Sequence, residues 1–495
     1  MGTYLDRRRF IQSVGVLSTA MIGSSAVPVL FPKTVGPDRR KTFASEKIII
    51  IGAGPSGLVA ALELQSAGYD VTILEGRMRP GGRVYTLRNQ FSDDLQAEAG
   101  AVIYSSSYEI ANRYIDQFGL NRVDYHVPAL KPHFYLKGRH IVLDGSPVIW
   151  PYNLTSEEQQ LGPFGILQKY LIDTLPPEIQ QFDTWKNSGT LKQLDQLSLG
   201  DYMRKQGASE GALELVRRTM YFGNAIDHGS ALSSLISDIH YFFTGASYFL
   251  LEGGNDTLPR AMADKLRSQI HYGVEVLAIH QQGDKVQIRA NRSGKSETIE
   301  GDRVICTIPA TVLRRIEFSP GLDEMKQQAV NSISYLDTTR TYLQVKRAFW
   351  VDRGLSGTAY TDLPIQDVLR QPYWMQVDAN KRALLESHVR GDEAQRLAEM
   401  SESAAIDFTA KQMARVFPEL PDYLEGGTVK AWSTDRFSLK AYSWPAPGQV
   451  TAHLEDLQRP HGRVHFAGEH TSIVRSLMEG ALRSGVRAAR EVNQA

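Results

Sequence analysis

A run of β-branched residues at positions 48–51 opens the first regular element of the chain. Four successive isoleucines suit a strand that is buried on both faces of a parallel sheet. The turn GAGPSG follows, and the pattern then predicts a helix over 55–67 and a second strand over 71–74 that ends at Glu75. Strand, helix and strand in this order predict an α/β unit with a parallel sheet.

Later segments of the chain also show the patterns typical of strands and helices. Residues 273–309 predict a β-meander and a return strand, because short β-rich runs alternate with glycine turns. At the end of the chain, Val464–Phe466 predict a strand, and a glycine turn leads to an amphipathic helix over 478–493. The remaining predictions are a hairpin at 133–143, helices within 161–175, 209–220 and 392–417, and a strand near 341–350.

The first 26 residues have a different pattern. Arg7, Arg8 and Arg9 precede Phe10, and a weakly apolar, small-residue stretch then runs to Ala26. This order resembles the bacterial twin-arginine export signal, whose pathway carries folded proteins, although an acidic residue precedes the arginines. A basic terminus without a targeting role and an uncleaved anchor are the alternatives. We expect a periplasmic or secreted protein without stable membrane insertion after the signal is removed.

The composition limits the classes of partner that the protein is expected to bind. Lys and Arg number 55 and Asp and Glu also number 55, so no overall field favours nucleic acid. Cys306 is the single cysteine, which excludes an internal disulfide and a cysteine-based metal cage. The 12 histidines show no HExxH spacing, so no metal site is expected. A small molecule is the partner that this composition favours.

The turn after the first strand can hold a dinucleotide. Gly52 permits the tight turn, Gly54 lets a pyrophosphate approach the backbone, and Gly57 lets the helix pack closely on the strand. Glu75 ends the second strand, where a carboxylate can accept both ribose hydroxyls of an adenosine. A turn that uses glycine for steric reasons alone is the alternative. This spacing does not distinguish NAD from FAD.

Three further blocks carry a resemblance. RMRPGGRVYT follows the second strand, YFLLEGGNDTLPRAMADKL precedes the meander, and GRVHFAGEHTSIVRSLMEGALRSGVRAAREVNQA closes the chain. In this order they are similar to the flavin-containing amine oxidases, the family of monoamine, polyamine and L-amino acid oxidases. The resemblance implies an α/β fold, in which a Rossmann-like FAD-binding domain with a parallel sheet and a β-meander joins a discontinuous α+β substrate domain. It divides the chain into a signal peptide at 1–26, a linker at 27–44, FAD-binding segments at 45–115, 250–320 and 455–495, and substrate-domain segments at 116–249 and 321–454.

The resemblance also implies the residues that hold FAD. The N-terminus of the last helix faces the flavin, where its positive end suits the charge of the reduced ring. Where some members tether the flavin through a cysteine, this chain has Ala441, so we expect non-covalent FAD. The expected cofactor-binding residues are Gly52, Gly54, Ser56, Gly57, Glu75, Arg77, Gly82, Arg83, Gly100, Ala101, Val102, Val276, Gly468, Glu469 and Met478.

Catalytic positions depart from the family pattern. The aromatic pair that flanks the substrate nitrogen in many relatives corresponds to Tyr442 and Leu477, so only one wall is aromatic, and Trp444 or Trp432 are candidates to compensate. Counting ten residues back from the tryptophan of the FW pair gives Arg340, where many relatives have a lysine that holds a water near the flavin. An arginine in an ordinary ion pair is the alternative interpretation.

Substrate class is left open by two opposing signals. Ile103 stands where amino acid oxidases have an arginine for the substrate carboxylate, which favours simple amines. The block GGNDTLPRA is more similar to the amino acid oxidases. The leading interpretation is an FAD-dependent amine oxidase that forms an imine and reduces O2 to H2O2. An L-amino acid oxidase, an amine dehydrogenase with a periplasmic electron carrier and a non-catalytic flavin-binding scaffold are the alternatives, and a homodimer is one expected assembly.

Overall fold

The computed structural model describes residues 46–124, 131–223, 226–243, 247–371 and 378–495. The predicted signal peptide at 1–26 and the predicted linker at 27–44 lie outside the described residues. Among the helices described, none is both long enough and apolar enough to span a membrane.

Strands are distributed along most of the described chain. They are β1 (Lys47–Ile51), β2 (Asp70–Glu75), β3 (Thr86–Leu87), β4 (Ala97–Glu98), β5 (Tyr104–Ser105), β6 (Arg122–Asp124), β7 (Lys131–Leu136), β8 (Arg139–Val142), β9 (Tyr248–Leu251), β10 (Ile270–Tyr272), β11 (Val274–Gln282), β12 (Lys285–Arg292), β13 (Lys295–Gly301), β14 (Arg303–Cys306), β15 (Glu317–Ser319), β16 (Tyr335–Leu336), β17 (Thr338–Val345), β18 (Leu355–Thr361), β19 (Asp367–Gln371), β20 (Ala383–Arg390), β21 (Leu424–Ala431), β22 (Tyr442–Ser443) and β23 (Val464–Phe466).

Helices connect and cover these strands. The α-helices are α1 (Pro55–Ser66), α2 (Glu109–Gln117), α3 (Ser156–Leu167), α4 (Gly189–Asp195), α5 (Leu199–Lys205), α6 (Glu210–Thr219), α7 (Ala231–Ser234), α8 (Tyr241–Phe243), α9 (Thr257–Lys265), α10 (Ala310–Leu313), α11 (Glu324–Ser332), α12 (Asp392–Ala398), α13 (Glu402–Val416), α14 (Leu420–Tyr423), α15 (Gln449–Gln458) and α16 (Met478–Gln494). Short 3₁₀ helices are Pro177–Asn187, Arg267–Gln269, Phe349–Arg353 and Glu469–Thr471, and π-helical turns are Gln168–Ile172 and Leu235–His240.

A five-stranded parallel sheet has the order β10-β2-β1-β14-β23. The isoleucines of β1 are buried because both faces of the sheet are covered, as their continuous apolar pattern predicts. The carboxyl ends of β1 and β2 lead into the glycine turn and Glu75, so these residues meet at one edge of the sheet. Strands from three separated parts of the chain are therefore required to build this edge.

The predicted meander forms a second sheet of four strands in the order β13-β12-β11-β15. Its strands β11, β12 and β13 pair antiparallel, and the return strand β14 joins the parallel sheet instead. The register of β11 and β12 shifts between Val276 and Ala278, which marks a bulge in β11.

The largest sheet has seven strands in the order β21-β17-β20-β19-β18-β7-β8. One face of it is apolar: Leu343, Val345 and Leu385 pack with Met413 and Val416 of α13 in one buried cluster. Side chains alternate between the two faces of a strand, so the even-numbered residues of β17 and β20 lie on the opposite face. That opposite face bears most of the polar residues described below.

Observed boundaries differ from the predicted ones mostly by one or two residues. The segment 161–175 differs more, because Gly162 has a φ of 61° inside α3 and a π-helical turn replaces the α-helix at Gln168–Ile172. The strand predicted near 341–350 ends at Val345, and Phe349 begins a 3₁₀ helix.

Candidate active site

One cavity of about 570 Å³ is lined by the glycine turn, the bulge of β11, the polar face of the seven-stranded sheet and the start of α16. All the predicted cofactor-binding and catalytic residues except Gly57 are among its lining residues. The fold therefore brings together positions that lie more than 400 residues apart in the chain, such as Gly52 and Met478.

Gly57 is the exception among the expected cofactor-binding residues, because it does not line the cavity. A Cβ at Gly57 would lie 2.0 Å from the carbonyl oxygen of Gly52. Gly57 thus lets α1 pack against the turn, which is the role its place in the motif also predicts.

The turn fits the pyrophosphate of a dinucleotide. Gly54 lines the cavity, and a Cβ added there would meet no atom within 4 Å, so a side chain would occupy open cavity space. Gly54 is also the N-cap of α1 and supplies no side-chain cap to the first N–H groups of that helix. Uncapped N–H groups at the positive end of a helix suit a phosphate.

Glu75 shapes the neighbouring part of the cavity. Its side chain is buried, and it accepts hydrogen bonds from Ala53 N at 2.7 Å and Arg77 N at 2.8 Å. Arg77 in turn donates to Asp435 at 2.5 Å and to Ser438 at 2.8 Å. A carboxylate fixed by two backbone N–H groups is well placed for the ribose hydroxyls that the motif predicts.

A second carboxylate, Glu469, organises the opposite side. It accepts hydrogen bonds from Arg83 Nη1 at 2.9 Å, Ser476 N at 2.9 Å, and the backbone and hydroxyl of Ser443 at 3.1 and 2.6 Å. Burial alone would raise the pKa of Glu469, but Arg83 and these hydrogen bonds outweigh burial and hold that pKa below its usual value. Arg83 also donates to the carbonyl of Ala441 at 2.9 Å. Glu469 therefore fixes the backbone at Ser443, which lies between Tyr442 and Trp444, and at Ser476, which directly precedes Leu477.

The start of α16 faces the cavity through Leu477, its N-cap, and Met478. Glu479 follows in the first turn and accepts hydrogen bonds from the N–H groups of Ile110 and Ala111 at the start of α2. Burial raises the pKa of Glu479 to about 7. The side chain thus joins two helix starts beside the cavity.

Tyr442, Leu477 and Trp444 all line the cavity. The rings of Tyr442 and Trp444 lie 6.0 Å apart, and the guanidinium of Arg475 stacks on Trp444 at 3.6 Å. Trp432 lines the cavity too and donates to the carbonyl of Ala99 at 2.8 Å. The cavity lining here, which we call the slot, therefore combines aromatic rings with the aliphatic side chain of Leu477.

Arg340 lies on β17, and its side chain is buried at the cavity. Nη1 donates to the carbonyl of Glu98 at 2.6 Å, and Tyr342 donates to the same carbonyl at 2.8 Å. Nε is 3.5 Å from Glu386. Arg340 thus combines a cavity position with a buried ion pair, which are the two alternatives that the sequence leaves open.

Comparisons with known proteins decide the family. The family model for flavin-containing amine oxidoreductases matches residues 55–493. The chain belongs to this family. Flavin-containing amine oxidoreductases use FAD and act on CH–NH2 or CH–NH donors, so this protein is a flavin-dependent oxidoreductase of that kind.

Curated relatives of this amine oxidoreductase are L-amino acid oxidases by name. YobN of Bacillus subtilis (strain 168), whose name assigns it provisionally to L-amino acid oxidases, is 30% identical over 470 residues, which are 90% of this chain and 94% of the relative. The L-amino acid oxidase of Demansia vestigiata is 28% identical and covers 92% of this chain and 88% of its own length.

Solved structures share the fold of this amine oxidoreductase. A triple mutant of putrescine oxidase has a TM-score of 0.75 at 21% identity, with 91% of this chain and 99% of the other covered. Cyclohexylamine oxidase from Brevibacterium oxydans IH-35A has a TM-score of 0.72 at 18% identity and the same coverage.

Polar residues on and beside the seven-stranded sheet are the part of the amine oxidoreductase site that was not predicted from the sequence. We define the polar wall as the buried or nearly buried charged and imidazole side chains that line this part of the cavity or pair with lining residues: Asp238, Arg340, Asp367, Arg370, Glu386, His388, Arg390 and Arg475. Only Arg340 among them was a predicted site residue. The sequence ESHVR at 386–390 carried a signal, since polar residues alternate within an apolar strand.

Ion pairs connect the polar wall. Asp238 pairs with Arg475 at 2.7 Å and accepts from Tyr221 at 2.8 Å, while Asp367 pairs with Arg390 at 2.7 Å. Burial, Arg340 and Arg390 hold the pKa of His388 well below its usual range, so His388 is neutral.

Arg475 is paired within the protein and lies outside the cavity lining. It is 2% exposed, does not line the cavity, and donates to Asp238, Ser233, Ser234 and Ser476. Ile103, by contrast, does line the cavity and is 4% exposed. The place where the resemblance expects a carboxylate-binding arginine is therefore apolar.

Proposed function

We propose that this protein is an FAD-dependent L-amino acid oxidase. The C–N bond of the substrate α-amine is oxidised to an imine, and water then hydrolyses the imine to a 2-oxo acid and ammonia. FAD, when bound, accepts the two electrons of this oxidation and passes them to O2, which is reduced to H2O2. The amino acid and O2 are the two substrates.

The composition of the polar wall carries this proposal. Four buried guanidinium groups, Arg340, Arg370, Arg390 and Arg475, are accompanied by three buried carboxylates, Asp238, Asp367 and Glu386. His388 adds no charge because burial and the neighbouring arginines keep its pKa low. Guanidinium groups at the wall of a cavity suit an anionic group on the substrate, because a guanidinium donates charge-assisted hydrogen bonds to a carboxylate. The curated relatives named as L-amino acid oxidases support the same choice.

Chain residues position the reacting carbon. Tyr442 and Leu477 both line the slot, and the Glu469 network fixes the backbone next to each of them. Apolar groups such as Ile103 exclude water from the slot. Fixed walls hold the amine in one orientation, and this orientation is the main contribution that the protein can make to the oxidation.

A simple amine is the second candidate substrate, and Ile103 is the observation that favours it. Phenylalanine and phenethylamine differ only by the carboxylate, so anaerobic reduction of the flavin by each separates the candidates. We expect phenylalanine to give the larger ratio of reduction rate to dissociation constant. A clear preference for phenethylamine would establish the amine and overturn the amino acid proposal. Any pair that differs only by the α-carboxylate serves equally.

We also propose that FAD is held without a covalent bond and that oxygen is the acceptor. Ala441 lines the cavity and offers no nucleophile, while Cys306 is 1% exposed and does not line the cavity. Acid precipitation should leave the flavin in the supernatant, whereas a yellow pellet would show a tether. Production of one H2O2 per substrate oxidised would distinguish the oxidase from a dehydrogenase that uses a periplasmic carrier.

A further inference from the structure

Arg390 has donors that the described protein does not use. It is 3% exposed, and only its Nη2 makes a side-chain hydrogen bond, to Asp367 at 2.7 Å. Nε and Nη1 are buried and have no hydrogen-bond partner within the described residues. Buried polar groups are nearly always paired, so unpaired donors on a guanidinium indicate a missing acceptor.

Arg390 does not itself line the cavity, but three residues beside it do. Thr338 lies directly across from Arg390 in the pairing of β17 with β20, so the two side chains share one face of the sheet. His388 lies two residues before Arg390 on the same face. Asp367, which is opposite His388 in the pairing of β19 with β20, is the ion-pair partner of Arg390. Thr338, His388 and Asp367 all line the cavity.

Two of these neighbours also have unused polar atoms. The hydroxyl of Thr338 and Nε2 of His388 are buried and lack hydrogen-bond partners within the described part of the chain. Arg390, Thr338 and His388 thus form a polar group on the cavity side of the sheet. Arg475 is the opposite case, because its donors are used by Asp238 and three serines.

We propose that Arg390 binds the α-carboxylate of the substrate, with the Thr338 hydroxyl as a second donor. This inference rests on the proposed amino acid oxidase function. A carboxylate is an acceptor that fits, because a guanidinium donates charge-assisted hydrogen bonds to it. Arg390 then supplies from β20 the interaction that Ile103 cannot supply.

Binding of benzoate tests the inference without catalysis. Benzoate carries the carboxylate but no amine, and benzamide is its uncharged counterpart. Calorimetric titration of the holoenzyme gives the dissociation constants of both. We expect Arg390→Met to weaken benzoate binding about 10- to 100-fold, as loss of a hydrogen bond between charged groups does, and to change benzamide binding much less. Arg390→Lys retains the charge but not the paired donors and should fall between the two.

Controls separate the subsite from folding. Arg382→Met removes an arginine directly before β20 that is 40% exposed at its side chain, pairs with Glu425 at 2.8 Å and does not line the cavity. It should leave benzoate binding at the wild-type value. If Arg390→Met does not fold because Asp367 is left unpaired, the double variant Arg390→Met with Asp367→Asn replaces it in the titration. The double variant removes both charges of the ion pair.

Kinetics with the matched substrates distinguish the two proposals. Arg390→Met should lower the phenylalanine to phenethylamine ratio that the wild type shows. Suppose that the wild type prefers phenylalanine but that the Arg390 variants keep the wild-type benzoate affinity and substrate ratio. This result would overturn the role of Arg390 but not the amino acid proposal, and the unpaired donors of Arg390 would then be bound to water. A wild type that prefers phenethylamine and binds benzoate no better than benzamide would overturn both.

Discussion

Arg340 differs from the lysine of many relatives in shape as well as in titration. Its planar guanidinium contacts the carbonyl of Glu98 with one nitrogen and lies 3.5 Å from Glu386 with another. A lysine would present a compact ammonium on a flexible stem in place of this planar group. The fixed charge and orientation of Arg340 are thus set by two different strands, β4 and β20.

We expect Arg340→Lys to change the reoxidation of the reduced enzyme by O2 more than the reduction by substrate. Stopped-flow measurement of the two half-reactions should show a reoxidation rate constant altered by about tenfold, equivalent to roughly 1.4 kcal/mol in barrier height. Glu386 is the other member of the ion pair, and Glu386→Gln serves as the control that disturbs the pair without changing residue 340. An unchanged reoxidation rate in Arg340→Lys would place Arg340 away from the flavin.

Glu75 should be required to retain FAD. The charge-assisted hydrogen bonds expected from two ribose hydroxyls are together worth roughly 3 kcal/mol, so Glu75→Ala should raise the FAD dissociation constant about 100-fold. Flavin fluorescence after dilution measures this release. Glu63→Ala is a matched control, since Glu63 lies on α1 and pairs with Arg113 at 2.6 Å without lining the cavity. Equal FAD retention by the Glu75 variant and the control would contradict the assignment.

At the scale of elements, α16 and α1 pack through a glycine. A Cβ at Gly485 would lie 2.2 Å from the carbonyl oxygen of Ser56 and 2.5 Å from Val59. Ser484, its neighbour, has its hydroxyl 3.1 Å from that of Ser56 and accepts a hydrogen bond from Gly468 N at 2.9 Å. Contact between these helices therefore connects the glycine turn after β1 with the start of α16, which are the first and last parts of the chain that line the cavity.

Gly485→Ala should destabilise the protein by about 1–3 kcal/mol, because the added methyl group meets backbone that cannot move independently. Thermal unfolding of the holoenzyme measures the effect. Gly189→Ala is the control: Gly189 begins α4, a Cβ there meets nothing within 4 Å, and the substitution should be neutral or slightly stabilising. Equal melting temperatures for the two variants would show that α16 shifts without cost.

Elements differ in how far the sequence predicts them. The strand and turn around Ile48 and Gly52 are specified by neighbouring residues, so their pattern predicts them closely. The seven-stranded sheet pairs β7 with β18, and Phe134 with Tyr360 lie 226 residues apart in that pairing. No local period encodes such a pairing. The polar wall was missed for this reason, because Arg390 and Thr338 become neighbours only when β17 and β20 pair.

At the scale of the whole molecule, the cavity is a product of complete folding. Its lining residues extend from Ile51 to Ala481, and the five strands of the parallel sheet come from three separated parts of the chain. An unfolded chain therefore presents no FAD site. If FAD binds before export, the chain must cross the membrane folded, which is the property of the twin-arginine route.

We therefore expect replacement of Arg7 and Arg8 by lysine to retain the folded, yellow holoprotein in the cytoplasm. The twin-arginine signal is read through its guanidinium pair, and lysine keeps the charge while losing the planar fork. Flavin absorbance and oxidase activity in separated periplasmic and cytoplasmic fractions measure the distribution. Arg9→Lys is the matched control, because it keeps the basic charge and leaves the pair intact. Undiminished periplasmic activity in the double variant would contradict export by this route, and equal loss in the Arg9 control would show that the loss is not specific to the Arg7 and Arg8 pair.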